Sequence, residues 1–181
     1  MTQSKLVKEV EVLVREQANR AAFNRISGSH VGVLHIATHG VYLEQKGATD
    51  TQSMFNCLLA LAGANMTDEA FISAAEIARM NLRECDLAVL SACETGLGKL
   101  GGDGVFGLQR GFKNAGAHSL LISLKKVSDE STAMLMTSFY NNWMKGCSKL
   151  EALVKAQQEL RENGYTDPKY WTSFILLDAL K

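Results

Sequence analysis

Proline is almost missing from this chain of 181 residues: Pro168 is the only one. That excludes a proline-rich linker or ligand segment. No run approaches the roughly 18 consecutive apolar residues of a membrane-spanning helix. The opening stretch carries Lys5, Lys8, Glu9 and Glu11 and no apolar block, so it does not read as a signal peptide. An excess of either charge is missing too. Lys plus Arg number 19 and Asp plus Glu number 19, with a pI near 6.9. Without a basic footprint, neither nucleic acid nor a membrane is an expected partner. The four cysteines, Cys57, Cys85, Cys93 and Cys147, form no CxxC pair and show no metal-ligand spacing. Thiols in a reducing cytoplasm are the natural reading.

What is present is core-forming. Hydrophobic residues make up 46% and charged residues 21%, which excludes a charged disordered tail. The length suits a single domain over residues 1–181. Glycine is unevenly spread: Gly96, Gly98, Gly101, Gly102, Gly104 and Gly107 crowd one short stretch and mark a special loop.

The apolar patterning predicts alternating strands and helices. Val10–Val14 reads as a strand, Ala18–Ile26 as a helix, and Val31–Ile36 as a strand buried on both faces. Val41–Leu43 and Asn56–Leu61 flank a polar stretch and suggest an edge hairpin. Ser73 with Glu76 forms a capping-box pattern, opening a helix to about Met80. Leu87–Leu90 and Leu120–Leu124 are further buried strands, with a helix from Asp103 to about Asn114 between them. Two helices, Asp129–Met144 and Lys149–Glu162, and a strand, Phe174–Leu177, come after. Solid apolar strands separated by helices imply a parallel sheet with helices on both faces.

In such a sheet, ligands bind beyond the carboxyl ends of the strands. His39 follows one buried strand and Cys93 follows another, 54 residues later. If those strands are neighbours, imidazole and thiol reach the same rim. A thiol with a pKa of about 8.5 is only slightly ionised at neutral pH, and a nearby imidazole raises its nucleophilicity and can protonate a leaving amine. Gly40 and the glycines after Cys93 let backbone N–H groups approach an oxyanion. Each residue also has a plain reading, His39 as a hydrogen-bonded structural residue and Cys93 as a small hydrophobe. Other patterns carry less. Gly96–Gly101 spells GxGxxG, but Cys93-Glu94-Thr95 separate it from the strand and no acid follows at ribose spacing. His35 and His39 lie on a strand without a ligand partner, and no metal is expected. Cys57 and Cys85 read as packing residues. Ser91 and Thr95 read either as hydrogen-bonding near the nucleophile or as capping the turn.

The two boxes Ile36-Ala37-Thr38-His39-Gly40 and Leu90-Ser91-Ala92-Cys93-Glu94-Thr95-Gly96-Leu97-Gly98 resemble the signatures of the CHAT domain family, which belongs with caspases, separases and gingipains. Ala60–Asn65, Gly104–Leu108, Ala115–Ala117 and Tyr170-Trp171 resemble further family blocks in the same order. The resemblance implies a caspase-like three-layer α/β/α sandwich around a mostly parallel sheet. It implies a cysteine endopeptidase acting on polypeptides without metal or organic cofactor. His39 would be general acid/base, Cys93 nucleophile, and the N–H groups of Gly40 and Cys93 the oxyanion hole. Two departures stand out. The family's usual strand and helix before the segment at Val10 are missing, and Lys125 stands where tryptophan is common. By position, Asp129 matches an aspartate that lines the first specificity pocket of basic-residue-cleaving relatives, with Lys125 beside it. The competing reading makes Asp129 the N-cap of the following helix. The rival function is a catalytically inactive interaction module, or part of a larger signalling protein, associating with another copy or a partner through a sheet edge near Val10–Val14.

Overall fold

The strand-forming apolar runs meet in one parallel ladder. The computed structural model describes residues 9–43, 50–91, 100–101, 104–105, 107–124 and 128–178. It divides into two compact units, Leu13–Lys125 with Leu177–Lys181, and Met1–Val12 with Lys126–Leu176.

The first unit holds the sheet. In chain order its elements are α1 (Arg20–Asn24), β1 (Val33–Ile36), β2 (Gly40–Tyr42), α2 (Asp50–Asn56), β3 (Cys57–Ala60), β4 (Phe71–Ser73), α3 (Ala74–Ile77), β5 (Leu87–Leu90), β6 (Leu100–Gly101), β7 (Gly104–Val105), α4 (Leu108–Asn114) and β8 (Ser119–Ser123). β5 lies between β1 and β8 and is parallel to both, with Leu90 opposite Ile36 on one side and Ile122 on the other. All four residues of β5 and all five of β8 are buried, as expected of strands flanked by other strands and covered on both faces. β2, β3 and β4 form a separate antiparallel sheet, and β6 pairs with β7 as a short hairpin.

Local chemistry explains the boundaries. Asn19 caps α1, its side chain accepting the Ala22 N–H at 3.0 Å. Ser73 and Glu76 close the capping box that starts α3. α4 begins at Leu108, later than the expected Asp103, because Gly104 and Val105 pair with Leu100 and Gly101 instead. A glycine-rich stretch forms helix poorly. Gly111 has one clear reason to be glycine: a Cβ there would stand 2.7 Å from the Ala74 carbonyl oxygen of α3. Its absence lets α4 pack against the start of α3, with Phe112 fully buried beside it.

Two strand expectations change. Val10–Val14 is not a strand: residues 9–14 carry no regular secondary structure, and Val10, Val12 and Val14 are 72%, 70% and 57% exposed. Alternating valines favour a strand only where one face is buried. β1 is a strand, but only Leu34 in it is buried, since β1 ends the strand order rather than sitting inside it. The hairpin around 44–53 is present as β2 and β3, with α2 entering part of the polar stretch and residues 44–49 outside the described residues.

The second unit is mainly two helices, α5 (Asp129–Met144) and α6 (Lys149–Glu162), followed by the first residues of β9 (Phe174–Leu177). Leu135, Met136, Phe139 and Trp143 bury one side of α5, and Ala152, Leu153, Ala156 and Leu160 bury one side of α6. The spacing of three and four residues produces those faces. The rings of Phe139 and Trp143 stand 6.0 Å apart, and each such buried aromatic contributes about 1.5–3 kcal/mol. Strands, helices and a parallel sheet make this an α/β fold.

Candidate functional site

The condition set by the sequence was that the strands bearing the two boxes be neighbours, and they are. β1 and β5 run side by side and in parallel, with Ile36 opposite Leu90. His39 stands three residues after Ile36, and Cys93 three residues after Leu90.

The chain beyond β1 is gripped by β3. The Thr38 hydroxyl donates to the Ala60 carbonyl, and the Ala60 N–H donates to the His39 carbonyl at 2.9 Å. Both bonds fall on one residue, so Thr38 and His39 are fixed by their backbone surroundings while the His39 residue stays exposed. Gly40 begins β2 immediately afterwards and pairs with Leu59. Two residues past His39, Val41 lines a groove of about 610 Å³. Leu58, its register partner, and Phe71 line the groove too, with Arg20, Asp68 and Glu76 among its polar residues.

The chain beyond β5 is gripped by β1. The Ser91 N–H donates to the Ile36 carbonyl at 2.9 Å. The Ser91 hydroxyl also meets Nε2 of His35 at 2.7 Å. His35 is exposed as a residue, yet desolvation of its imidazole by surrounding protein lowers its pKa. That shift favours the neutral imidazole, which has one donor and one acceptor nitrogen. Both sequence readings of Ser91, bonding near Cys93 and capping the turn, concern a segment that lies outside the described residues. In the sequence, His35 stands out only as a histidine without metal-ligand partners. Its one legible signal is being the sole polar residue between Val33 and Ile36.

The remaining expected site residues have separate fates. Cys93 and Lys125 lie outside the described residues, as do Thr95 and most of the GxGxxG pattern. Asp129 is the first residue of α5 and is exposed. It is not the N-cap: Ser128 takes that role, accepting the Ser131 N–H at 3.1 Å. Asp129 instead adds negative charge to the first helical turn, where the helix dipole favours it. Cys57 and Cys85 are buried thiols, as packing residues should be, and burial pushes Cys57 up to about 11. Cys147 is half-buried beside Lys155, whose ammonium reaches its sulfur at 3.2 Å. Among the described residues, no three His, Cys, Asp or Glu side chains gather at metal-holding geometry. No helix among them is long and apolar enough to cross a membrane.

Chemically, the arrangement offers an exposed imidazole at a braced strand end, next to a second braced strand end. Known proteins share the sequence that builds it. Residues 2–179 match the CHAT domain family. Tetratricopeptide repeat protein 28 of Homo sapiens is 28% identical over 136 residues, covering 75% of this chain and 5% of that protein. Its Mus musculus counterpart is 26% identical over 136 residues, with the same shares of 75% and 5%. The chain thus spans only a small part of the relatives it matches.

Proposed function

The chain belongs to the CHAT domain family, and from that premise we propose that it is a cysteine endopeptidase of the caspase-like class, with His39 and Cys93 as its catalytic pair. One observation carries the reading: β1 and β5 are adjacent, parallel and in register at Ile36 and Leu90, so the two boxes leave the sheet side by side. The family match over both boxes supports it further.

In this mechanism the His39 imidazole takes the Cys93 thiol proton, and the thiolate attacks the scissile carbonyl carbon. The N–H groups of Gly40 and Cys93 hold the resulting oxyanion. His39 then gives its proton to the leaving amine as the C–N bond breaks, leaving an acyl-enzyme. Water, activated by the same imidazole, hydrolyses the thioester and restores the thiol. No metal or organic cofactor takes part, and the setting is the reducing cytoplasm. For substrate choice the resemblance supports Asp129 and Lys125 as the residues that select the side chain before the scissile bond, with Asp129 favouring Arg or Lys by a charge-assisted hydrogen bond. That Ser128 performs the helix capping removes the competing role for Asp129.

Alkylation with iodoacetamide, mapped by mass spectrometry, tests the pair. Cys93 is expected to react faster than Cys147 in the same molecule, and Cys93→Ala to abolish cleavage of a peptide library. Equal rates together with an inert Cys93→Ala substitution overturn the reading. Cleavage of peptides with Arg, Lys, Asp or Leu before the scissile bond tests the pocket, since only Asp129→Ala should selectively lose a basic preference.

The second reading, a non-catalytic interaction module, is favoured by a different observation. The matching relatives are named as tetratricopeptide repeat proteins, and the matched part is 5% of their length. The exposed valines at Val10, Val12 and Val14 offer an apolar segment for association. Light scattering across a concentration range reads self-association directly, and a strict monomer with peptidase activity excludes this alternative.

A further inference from the structure

We propose that the outward face of the β2–β3–β4 sheet docks an extended polypeptide segment carrying a large apolar side chain and, about three residues away, a lysine or arginine. The surface is separate from the acid–base pair and rests on neither reading above. Register fixes which side chains form it. Val41 stands opposite Leu58 and Leu58 opposite Ser73, while Ala60 stands opposite Phe71. Alternation turns the intervening Cys57, Leu59 and Ile72 to the other face, where they are 3%, 0% and 1% exposed. An antiparallel sheet with one buried face ordinarily shows a polar outer one. Here the outer face carries Val41, Leu58 and Phe71, all half-buried, in a groove of about 610 Å³. Leu43 and Phe55 line it too and are 53% and 52% exposed. An apolar surface of this kind with a polar rim marks a site of association. All of these residues belong to the first unit.

The charges in the groove specify the partner. Its ionisable side chains are Arg20, Asp68 and Glu76. Arg20 pairs with one Glu76 oxygen and also bonds the Phe71 carbonyl. The other Glu76 oxygen accepts the Ser73 N–H at 2.9 Å and the Ser73 hydroxyl at 2.8 Å. Those two charges therefore cancel within a closed set of bonds. Asp68 is exposed and forms no ion pair among the described residues, so the groove keeps one uncompensated negative charge. A cation on the partner complements it. Val41 lies in β2, whereas Asp68 stands three residues before Phe71 at the start of β4. Those strands are two intervals apart, about 10 Å, which an extended chain covers in about three residues. That separation exceeds the reach of one side chain, so the apolar contact and the cation come from different residues of one polypeptide. The volume lies in the roughly 300–1,000 Å³ range of binding clefts, which suits a few side chains.

Anisotropy of a labelled, capped alanine-based peptide with leucine and lysine three residues apart tests this on the intact chain. Wild type should bind it about fivefold more tightly than the same peptide with glutamate for lysine, and the difference should shrink as salt rises. Asp68→Lys should invert that preference. Replacing the peptide's leucine by alanine, or Phe55→Ala in the protein, should weaken binding roughly tenfold. Asp68 and Phe55 are exposed, and an unchanged circular dichroism spectrum checks that each variant keeps the fold. Hexylamine, an apolar tail and a cation without a backbone, should fail to compete. His39→Ala should bind as wild type does, because His39 does not line the groove. Equal affinity for the lysine and glutamate peptides, a preference that Asp68→Lys does not invert, or wild-type affinity in Phe55→Ala overturns the inference. So does hexylamine that displaces the peptide, or a wild type that binds neither peptide. Loss of binding in His39→Ala assigns the peptide to the reacting site and overturns it as well. Every readout is binding, so the peptidase reading stands or falls separately on its own cleavage and alkylation tests.

Discussion

Ser73 and Ser148 begin helices with the same four-residue pattern, and both build the full capping box. In each, the glutamate three residues on accepts from the serine N–H and hydroxyl, at 2.9 and 2.8 Å for Glu76 and at 2.8 Å for both bonds to Glu151. The surroundings differ. Ser148 opens fourteen residues of α6 with its box in water. Ser73 is 6% exposed and opens only four residues of α3, pressed against α4. Arg20, 56 residues away, bonds Glu76 and the Phe71 carbonyl and reaches the Glu69 carbonyl at 3.3 Å. The same Ser-x-x-Glu pattern yields the same local bonds, and the difference in their worth comes from what packs around them.

The largest break in that comparison is predicted at Gly111. Gly111→Val drives side-chain carbon into the Ala74 backbone, at the first residue of α3, and should cost about 3 kcal/mol. Urea unfolding measures it, while amide exchange in the α6 box should be unchanged. Next is Arg20→Met, which strands two carbonyls and one carboxylate that remain partly hydrated, for about 1–2 kcal/mol. Lys155→Met, at the exposed lysine whose charge acts on Glu151, should leave the unfolding midpoint unmoved. Ser73→Ala should cost about 1 kcal/mol, and Ser148→Ala less, because water replaces the lost bonds at the exposed box.

The smallest effect is in pH. Burial raises the Glu76 pKa, but the bonds from Ser73 and Arg20 outweigh it and hold the carboxyl below its ordinary value. The backbone and side-chain bonds from Ser148 hold Glu151 below it as well. A carboxyl depressed in the folded state stabilises above its unfolded pKa and loses that contribution as pH falls through the folded one. Thermal melts from about pH 7 to about pH 3 should therefore show a falling midpoint on the acid side. In Arg20→Met the Glu76 share of that fall should shrink, and the Glu151 share should persist.

Elements whose signals are local were legible residue by residue. α5 and α6 span the residues that the apolar patterning indicated, and the Ser73–Glu76 capping box closes as its spacing suggested. One capping residue was misread: Asp129 competes for a role that Ser128 fills, since serine one position earlier has the extended backbone an N-cap needs. Val10–Val14 misled for a different reason. Its alternation matches a strand, but a strand is made by its neighbours, and this segment has no buried face. Within the candidate site, His39 was readable from its box and its place after β1. The His35–Ser91 bond was not, because it joins residues 56 apart through a register that no local pattern specifies.

By itself, then, the sequence determined the alternation of most helices and strands, where α3, α5 and α6 start, and which histidine and cysteine deserve attention. Those depend on periodicity, capping and motif, all of which act within a few residues. The tertiary structure alone decided that β1 borders β5, that β1 ends the strand order, and that Arg20 finds Glu76. It also brought Ala60 to His39 and His35 to Ser91. Such pairings are chosen by the packing of the whole core, where burial of Leu87–Leu90 between two strands outweighs any preference local to one of them.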